Sequence, residues 1–279
     1  MGVGVPSNIA ELAARWSLCV DSLTPFAPEF RLPENFVADA SLTDGTRVVL
    51  KVTGYHEELS NEVAALRLWN GNAAARLLDA DLQRHAILLE RVQPGLMLAE
   101  LSLDDDDAVS ITADVLRQLW IPRSAGLRSL ESWCAAYERN RAALSAGVDG
   151  FPEALFARAD ALRRDLLEST VDPVALHGDM HHYNVLQSDR AGWLAIDPKG
   201  LFGDRHFDVC QFLRNPHHRL VTAAENRRRL DRFSELLGLD RRRLSEWALV
   251  HAVLDACWSF EDGADWRPKV ACAEATLMY

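Results

Sequence analysis

The stretch that most limits what this chain can fold into is Leu176–Asp197, LHGDMHHYNVLQSDRAGWLAID. Asp179 and Asn184 stand five residues apart on a loop. Val185-Leu186-Gln187 and Trp193-Leu194-Ala195-Ile196 read as the arms of a hairpin, with Ser188-Asp189-Arg190-Ala191-Gly192 as its turn. Such a hairpin returns Asp197 to the side of Asn184. Asp179, Asn184 and Asp197 are the set that a magnesium-dependent phosphoryl-transfer site requires. One carboxylate takes or orients the proton of an attacking hydroxyl, while the amide and the second carboxylate hold the metal that bridges the nucleotide phosphates. The rival reading is a zinc site on His177, Asp179, His181 and His182. Hydrolytic zinc sites draw further ligands from elsewhere and keep an open position, and His206, His217, His218 and His251 carry no motif around them. Phosphoryl transfer is the stronger reading, with His177 donating to backbone near the loop and His181 and His182 on its rim.

Such a site needs an upstream lysine and a helical glutamate. Thr46–Val52 is a β-branched run that follows the turn signal Thr43-Asp44-Gly45, and it carries Lys51, one of only three lysines in the chain with Lys199 and Lys269. A compact ammonium on a flexible stem reaches phosphate oxygens as a point charge. The bland alternative is an edge-strand lysine that discourages aggregation. After it, Leu59, Val63, Leu66 and Trp69 recur at helical spacing over 57–69. Glu62 lies close to that packed face, where it can pair with Lys51 and hold it over the phosphates. Glu58 is its competitor.

Val49-Leu50-Lys51, Glu62 before Trp69, His177-Gly178-Asp179 with His181, His182 and Asn184, and Gly192–Gly200 (GWLAIDPKG) together resemble the aminoglycoside and hydroxyurea antibiotic-resistance kinases, in particular their streptomycin 6-phosphotransferase branch. The likeness continues through Phe202–Asp208 (FGDRHFD) and Asn215-Pro216, and weakly through Arg76-Leu77-Leu78. It implies an α+β, protein-kinase-like two-lobed fold, with a small N-terminal sheet lobe and a larger, mainly helical C-terminal lobe. It also implies ATP and Mg2+ as co-substrate and metal, and a small-molecule hydroxyl as acceptor. By this resemblance Asp179 is the base, Asn184 and Asp197 hold the metal, Lys51 with Glu62 positions the phosphates, and adenine lies against the backbone of Glu90 and Val92. The family fold covers the phosphates with a loop between its first two strands. The segment read for that role, 34–41, contains no glycine, which leaves the task to side chains such as Asn35 or Ser41. No G-x-x-x-x-G-K-[ST] sequence exists, so the P-loop kinases are excluded.

The rest of the chain fits this outline. Strands are expected over 36–42, 47–52 and 86–91, with Gln93-Pro94-Gly95 as the hinge between a nucleotide-binding lobe, 1–92, and a catalytic and substrate-binding lobe, 93–279. Helical faces are expected at Ala108, Ile111, Val115 and Leu119, at Leu155, Ala159, Leu162 and Leu166, and at Leu244, Val250, Leu254 and Trp258. The acid run Asp104–Asp107 reads as a complement to a helix N-terminus, and Asp208 as a brace beneath the catalytic loop. A net charge of −11 argues against nucleic acid as a partner. Five scattered cysteines without C-x-x-C spacing suit a reduced compartment, and no apolar run approaches a membrane span, so the expected location is the cytoplasm. The expected partners are a nucleotide and a small acceptor, with no protein, nucleic acid or membrane. A cationic, streptomycin-like acceptor would need carboxylates and aromatic walls, and 258–266 (WSFEDGADW) supplies both types, which points to Glu261, Asp262 and Asp265. Alternatives are a kinase of hydroxyurea or another metabolite and, less well supported, an inactive nucleotide-binding module.

Overall fold

The computed structural model describes residues 8–19, 24–25, 35–54, 56–124, 126–216 and 221–276. Strands Thr24–Pro25 (β1), Asn35–Ser41 (β2), Arg47–Thr53 (β3), Leu77–Asp81 (β4) and Ala86–Glu90 (β5) form one antiparallel sheet in the order β1-β2-β3-β5-β4. The turn between β2 and β3 closes with Asp44 accepting from the Thr46 N–H at 2.8 Å. Alternation along β3 buries Val48, Leu50 and Val52 on one face. With Phe36, Ala38 and Leu88 they form an apolar layer that helix Ile9–Trp16 (α1) covers through Leu12, Ala13 and Trp16. Lys51 therefore projects from the opposite face, toward helix His56–Trp69 (α2).

Of the segment read as a phosphate cover, 34–41, the described part is not a loop. Residues 35–41 are a strand, paired with β3 from Asn35↔Thr53 to Ser41↔Arg47. Val37 stands opposite Lys51, so Ser41 lies four residues along the strand, about 13 Å away at ~3.3 Å per residue. The residues joining β1 to β2, and Glu34, lie outside the described residues.

After β5 the chain enters a different packing environment. Pro94–Met97 (β6) pairs with Val185–Ser188 (β9), and β9 pairs with Gly192–Ala195 (β10) in the register Ser188↔Gly192 to Val185↔Ala195, the expected hairpin. A second small sheet joins Arg128–Ser129 (β7), Val174–Leu176 (β8) and Leu201–Gly203 (β11). Around these lie Asp105–Leu119 (α3), Leu130–Trp133 (α4), Ala136–Leu144 (α5), Glu153–Glu168 (α6), Ala223–Leu237 (α7), Arg241–Glu261 (α8) and Arg267–Thr276 (α9). The expected faces are found: Ala108, Val115 and Leu119 of α3, Leu155, Ala159 and Leu166 of α6, and Leu244, Val250 and Leu254 of α8 are all buried, with Ile111, Leu162 and Trp258 partly so. In α8 every residue from Trp247 to Leu254 is buried, so this helix is central to the core rather than amphipathic.

The sheet layer is tied firmly to this helical part. Leu59, Val63, Leu66 and Trp69 of α2 belong to its core, and the Trp69 indole donates to Leu119 O at 2.8 Å. The Ala195 N–H donates to Ala73 O at 2.8 Å, and the Ala75 N–H to Ala195 O at 2.9 Å. Within the acid run, Asp105 has a structural task beyond complementing the start of α3. It is held bidentately by Arg229 of α7, a fully buried guanidinium whose Nη1 also donates to Asn215 O at 2.7 Å. No helix among the described residues is long and apolar enough to cross a membrane.

His251, buried in α8, makes stability depend on pH. Burial, and then the neighbouring Arg214, push its imidazole down to about 3, against the pull of Asp255. The unfolded ring titrates near ~6.5, so the native state resists a proton that the unfolded state accepts. The contribution is complete above that value and is lost as pH falls from it toward 3. Its slope is about 1.4 kcal/mol per pH unit for one proton. His251→Gln should flatten the decline of urea-unfolding free energy between pH 6.5 and 4, and an unchanged slope would contradict this origin.

Candidate active site

Lys51 is the hub. Its ammonium donates to Glu62 Oε2 at 2.8 Å and to Asp197 Oδ1 at shorter range. These two carboxylates come from α2 and from the end of the β9–β10 hairpin. Burial works against the charge on Lys51, but Asp197 and then Glu62 outweigh it and raise its pKa. Lys51 in turn lowers the Asp197 carboxyl below the ordinary range despite burial, with Lys199 assisting. Glu62 shifts the other way: burial raises it, and Lys51 only partly compensates. Its Oε1 is buried without a hydrogen-bond partner among the described residues. Between Glu62 and Glu58, the geometry chooses Glu62, because Glu58 lies 3.8 Å from Lys199 instead.

The hairpin brings Asp197 to Asn184 as expected, for the Ile196 N–H donates to Asn184 O at 3.0 Å. Asp197 adopts a left-handed backbone (φ +56), rare for a residue other than glycine, and its side chain is 42% exposed. Strain of this kind is typical of functional positions. Asn184 Nδ2 donates to Asp179 O at 2.9 Å, which ties the amide to the loop. Asp179 itself is partly buried, 3.6 Å from His181 Nε2.

The histidines are supports rather than ligands. His177 is fully buried, and its Nδ1 accepts from the Asp179 N–H at 3.3 Å. That assigns the proton to Nε2, which donates to Ile196 O at 2.8 Å. One ring thus locks the base's loop to the residue before Asp197. His182 is buried and stacked on Phe212 with ring centroids 3.9 Å apart. Among the described residues no group of three or more His, Cys, Asp or Glu side chains gathers as a metal site, so the zinc alternative has no ligand set.

Asp208 braces the loop from below, as the sequence suggests. Its two oxygens accept from the backbone N–H groups of His177 (3.0 Å) and Gly178 (2.7 Å), and the Trp120 indole adds a third bond at 3.1 Å. Burial raises this carboxyl, against the His177 ring and the two amides.

The nucleotide-side and acceptor-side expectations fare differently. Glu90 ends β5, its N–H donates to Arg76 O at 3.0 Å, and its carboxylate is held by Arg190, whose Nη1 also reaches Gly71 O. Val92 is buried, and its carbonyl accepts from Arg91 at 3.2 Å. The Glu90 carboxylate and the buried Val92 side chain thus serve the scaffold, and the Glu90 N–H and Val92 carbonyl already have partners. Glu261 is not an open carboxylate. Arg139 binds it bidentately at 2.7 and 2.9 Å, Asn140 adds a bond at 2.8 Å, and its carboxyl is lowered chiefly by the bond to Arg139. Asp265 accepts from the backbone and the guanidinium of Arg267, both at 3.1 Å. Of the three, Asp262 alone is exposed with no side-chain partner among the described residues. They do not form a cage.

The sequence reading gave no role to Lys199. Its side chain is 22% exposed, and it lines a small cavity of about 30 Å³ together with Lys51, Thr53, Glu58, Glu62 and Asp197. The signal was present in the scarcity of lysine and in a lysine two residues after Asp197.

Lys51→Met should leave two facing carboxylates without their counter-charge. We expect a loss of about 3 kcal/mol in urea unfolding, of which a second substitution, Glu62→Gln, recovers a substantial part. Equal stability of the single and double variants would remove the ion triad from the account of this site.

Comparison with known proteins agrees with this geometry. The family model described as aminoglycoside/hydroxyurea antibiotic resistance kinase matches residues 33–263. A streptomycin 6-kinase of Streptomyces glaucescens is 35% identical over 93% of this chain and 84% of its own length. A hydroxyurea phosphotransferase of Kitasatospora aureofaciens is 36% identical over 98% of this chain and 79% of its own. Among solved structures, an aminoglycoside phosphotransferase in ternary complex with ADP and hygromycin B superposes with a TM-score of 0.70 at 17% identity, covering 97% of both chains. The choline kinase of Streptococcus pneumoniae gives 0.69 at 14%, with the same coverage. These likenesses establish a protein-kinase-like fold. With a matched family model over most of its length and relatives 35% and 36% identical over nearly all of it, the chain belongs to the aminoglycoside/hydroxyurea antibiotic resistance kinases and is a small-molecule phosphotransferase.

Proposed function

We propose that this chain transfers the γ-phosphoryl group of ATP to a hydroxyl of a cationic aminoglycoside of the streptomycin type. The observation that carries the reading is the convergence of Lys51 on Glu62 and Asp197, with Asn184 tied to the backbone of Asp179. In this reading Asp179 takes the proton of the acceptor hydroxyl as the new oxygen–phosphorus bond forms. The bond from the γ-phosphorus to the bridging oxygen breaks, and ADP leaves with that electron pair. Lys51, held by Glu62, contacts the nucleotide phosphates, and adenine lies against backbone around Glu90 and Val92, at the junction of residues 1–92 with 93–279.

The fit for magnesium rests on the donors. The Asn184 amide oxygen and the partly open Asp197 carboxylate are hard oxygen ligands of the kind this ion prefers. When bound, magnesium would neutralise phosphate charge during transfer. The reading places the activity in the cytoplasm, where ATP is at hand and free cysteines such as Cys134, Cys210 and Cys257 stay reduced. For the acceptor, the streptomycin kinases among the relatives favour an aminoglycoside, and the hydroxyurea phosphotransferase keeps hydroxyurea as the second reading. Because Glu261 and Asp265 already have arginine partners, Asp262 is the member of that segment best placed to meet an acceptor cation.

The test is ADP release, coupled to acceptor mass change, with streptomycin, other aminoglycosides, hydroxyurea and choline. Streptomycin should gain one phosphoryl group. Preference for hydroxyurea would transfer the assignment to the second reading, and tight ATP binding without turnover on any acceptor would leave an inactive module. Asp179→Asn should lower turnover by about 10²- to 10⁴-fold while ATP binding survives. Asp197→Ala should abolish the dependence of nucleotide affinity on magnesium.

A further inference from the structure

Lys199 is set into the fold with more care than a surface cation needs. Its N–H donates to His177 O at 2.7 Å. The next residue, Gly200, has φ +62, and a Cβ there would lie 2.3 Å from Asn61 O of α2. Only glycine permits that close approach. On the other side Gly178, at φ +83, leaves room in which an added Cβ would meet Lys199 Cβ at 3.1 Å. The backbone of Lys199 is thus pinned between the loop of Asp179 and helix α2.

The side chain emerges beside the phosphoryl-transfer carboxylates. It borders the same small cavity as Lys51 and Asp197, and Asp197 and Asp179 both act on its charge. Among the described residues its one ion pair is with Glu58 at 3.8 Å, beyond hydrogen-bond range, and the Glu58 side chain is 46% exposed. Half-exposed pairs of that kind contribute little. The site's carboxylates favour the charged lysine, yet among the described residues its ammonium is hydrogen-bonded to none of them, which leaves it open to a further anion. The small cavity brings the carboxylates of Asp197, Glu58 and Glu62 together with the ammonium groups of Lys51 and Lys199, and Asp179 acts on Lys199 from nearby. A γ-phosphoryl group moving toward Asp179 needs positive charge on the side away from Lys51.

We propose that Lys199 is a second phosphate-contacting cation, which lies against the transferring phosphoryl group between Asp179 and Asp197. This proposal rests on the phosphotransfer reading above. Lys51 grips the phosphates from the sheet, and Lys199 meets them from the catalytic-loop side. An ammonium suits this place because three rotatable donors can follow the phosphoryl group as it shifts from donor to acceptor oxygen.

The experiment pairs Lys199→Met, which keeps length and removes charge, with Lys199→Arg, which keeps charge. Three quantities are read: kcat with the acceptor found above, and the affinities for ADP and for the non-hydrolysable triphosphate AMP-PNP by calorimetry. The Met variant should lose about 100-fold in kcat, the scale for removing one preorganised donor to a transition state. It should bind ADP within twofold of the parent and lose most of the parent's preference for AMP-PNP over ADP, and Arg should restore much of both. A Met variant with kcat within threefold of the parent, or with ADP and AMP-PNP weakened alike, overturns the proposal. The two affinities need no acceptor, so they judge Lys199 even where the turnover panel defeats the aminoglycoside assignment. Should the Met variant melt early, Lys199→Gln is read in the same way.

Discussion

One ammonium group joins the three segments on which this site depends. Lys51 reaches Glu62, 11 residues away in α2, and Asp197, 146 residues away at the end of the hairpin. Each carboxylate would be costly to leave buried or half-buried alone, and so would the ammonium. Only together do they fit, and that requires the sheet, α2 and the β9–β10 hairpin to meet at one point. The alternation of β3 arranges this. One face of the strand is given to the apolar layer under α1, which leaves Lys51 no direction but the cleft.

The catalytic loop is fixed by a different device. Much of it is buried, so its backbone donors need acceptors. Asp208 receives two of them and His177 a third, while the same histidine donates to Ile196 O. The Ala73–Ala195 bridge then ties the hairpin to the residues that follow α2. Arg190, at the tip of the hairpin, reaches Glu90 and the carbonyls of Gly71 and Ala74. Relative positions of Lys51, Asp179 and Asp197 are therefore set by hydrogen bonds between distant segments more than by any one element's rigidity, which is the preorganisation that phosphoryl transfer relies on.

How much of this could be read in advance follows from the range of each interaction. Asp179, Asn184 and Asp197 were legible because the hairpin that unites them is local, and its turn and alternation stand in the sequence. The facing positions of α2 and α3 were legible through helical period. Arg190 and Arg229 were not, because their partners lie far away in the chain and nothing local marks an arginine as paired. The same blindness made Glu261 and Asp265 look open when each has an arginine. Helix α1 was missed although Leu12 and Trp16 sit at helical spacing, since its significance lies in the sheet that it covers. In the sequence, 34–41 reads as a phosphate cover and 36–42 as a strand. The alternation Phe36-Val37-Ala38-Asp39-Ala40 decides for the strand, and the lack of glycine then needs no special explanation.

The Lys51–Asp197 contact has a consequence for how such a site works. A phosphate group approaching Lys51 competes with Asp197 for the same ammonium, and a metal approaching Asp197 competes with Lys51 for the same carboxylate. Either exchange alone would strand a charge in a partly buried site. Made together they would conserve every pairing, with Lys51 keeping Glu62 and meeting phosphate, and Asp197 holding a cation in place of the ammonium. Glu62 would make such an exchange tolerable, since it holds Lys51 at 2.8 Å independently of Asp197. In this view the glutamate of α2 is less a source of stability than a hold on the lysine while its other partner changes. Its upward-shifted carboxyl, imperfectly compensated by Lys51, is the cost of keeping that hold in a buried place.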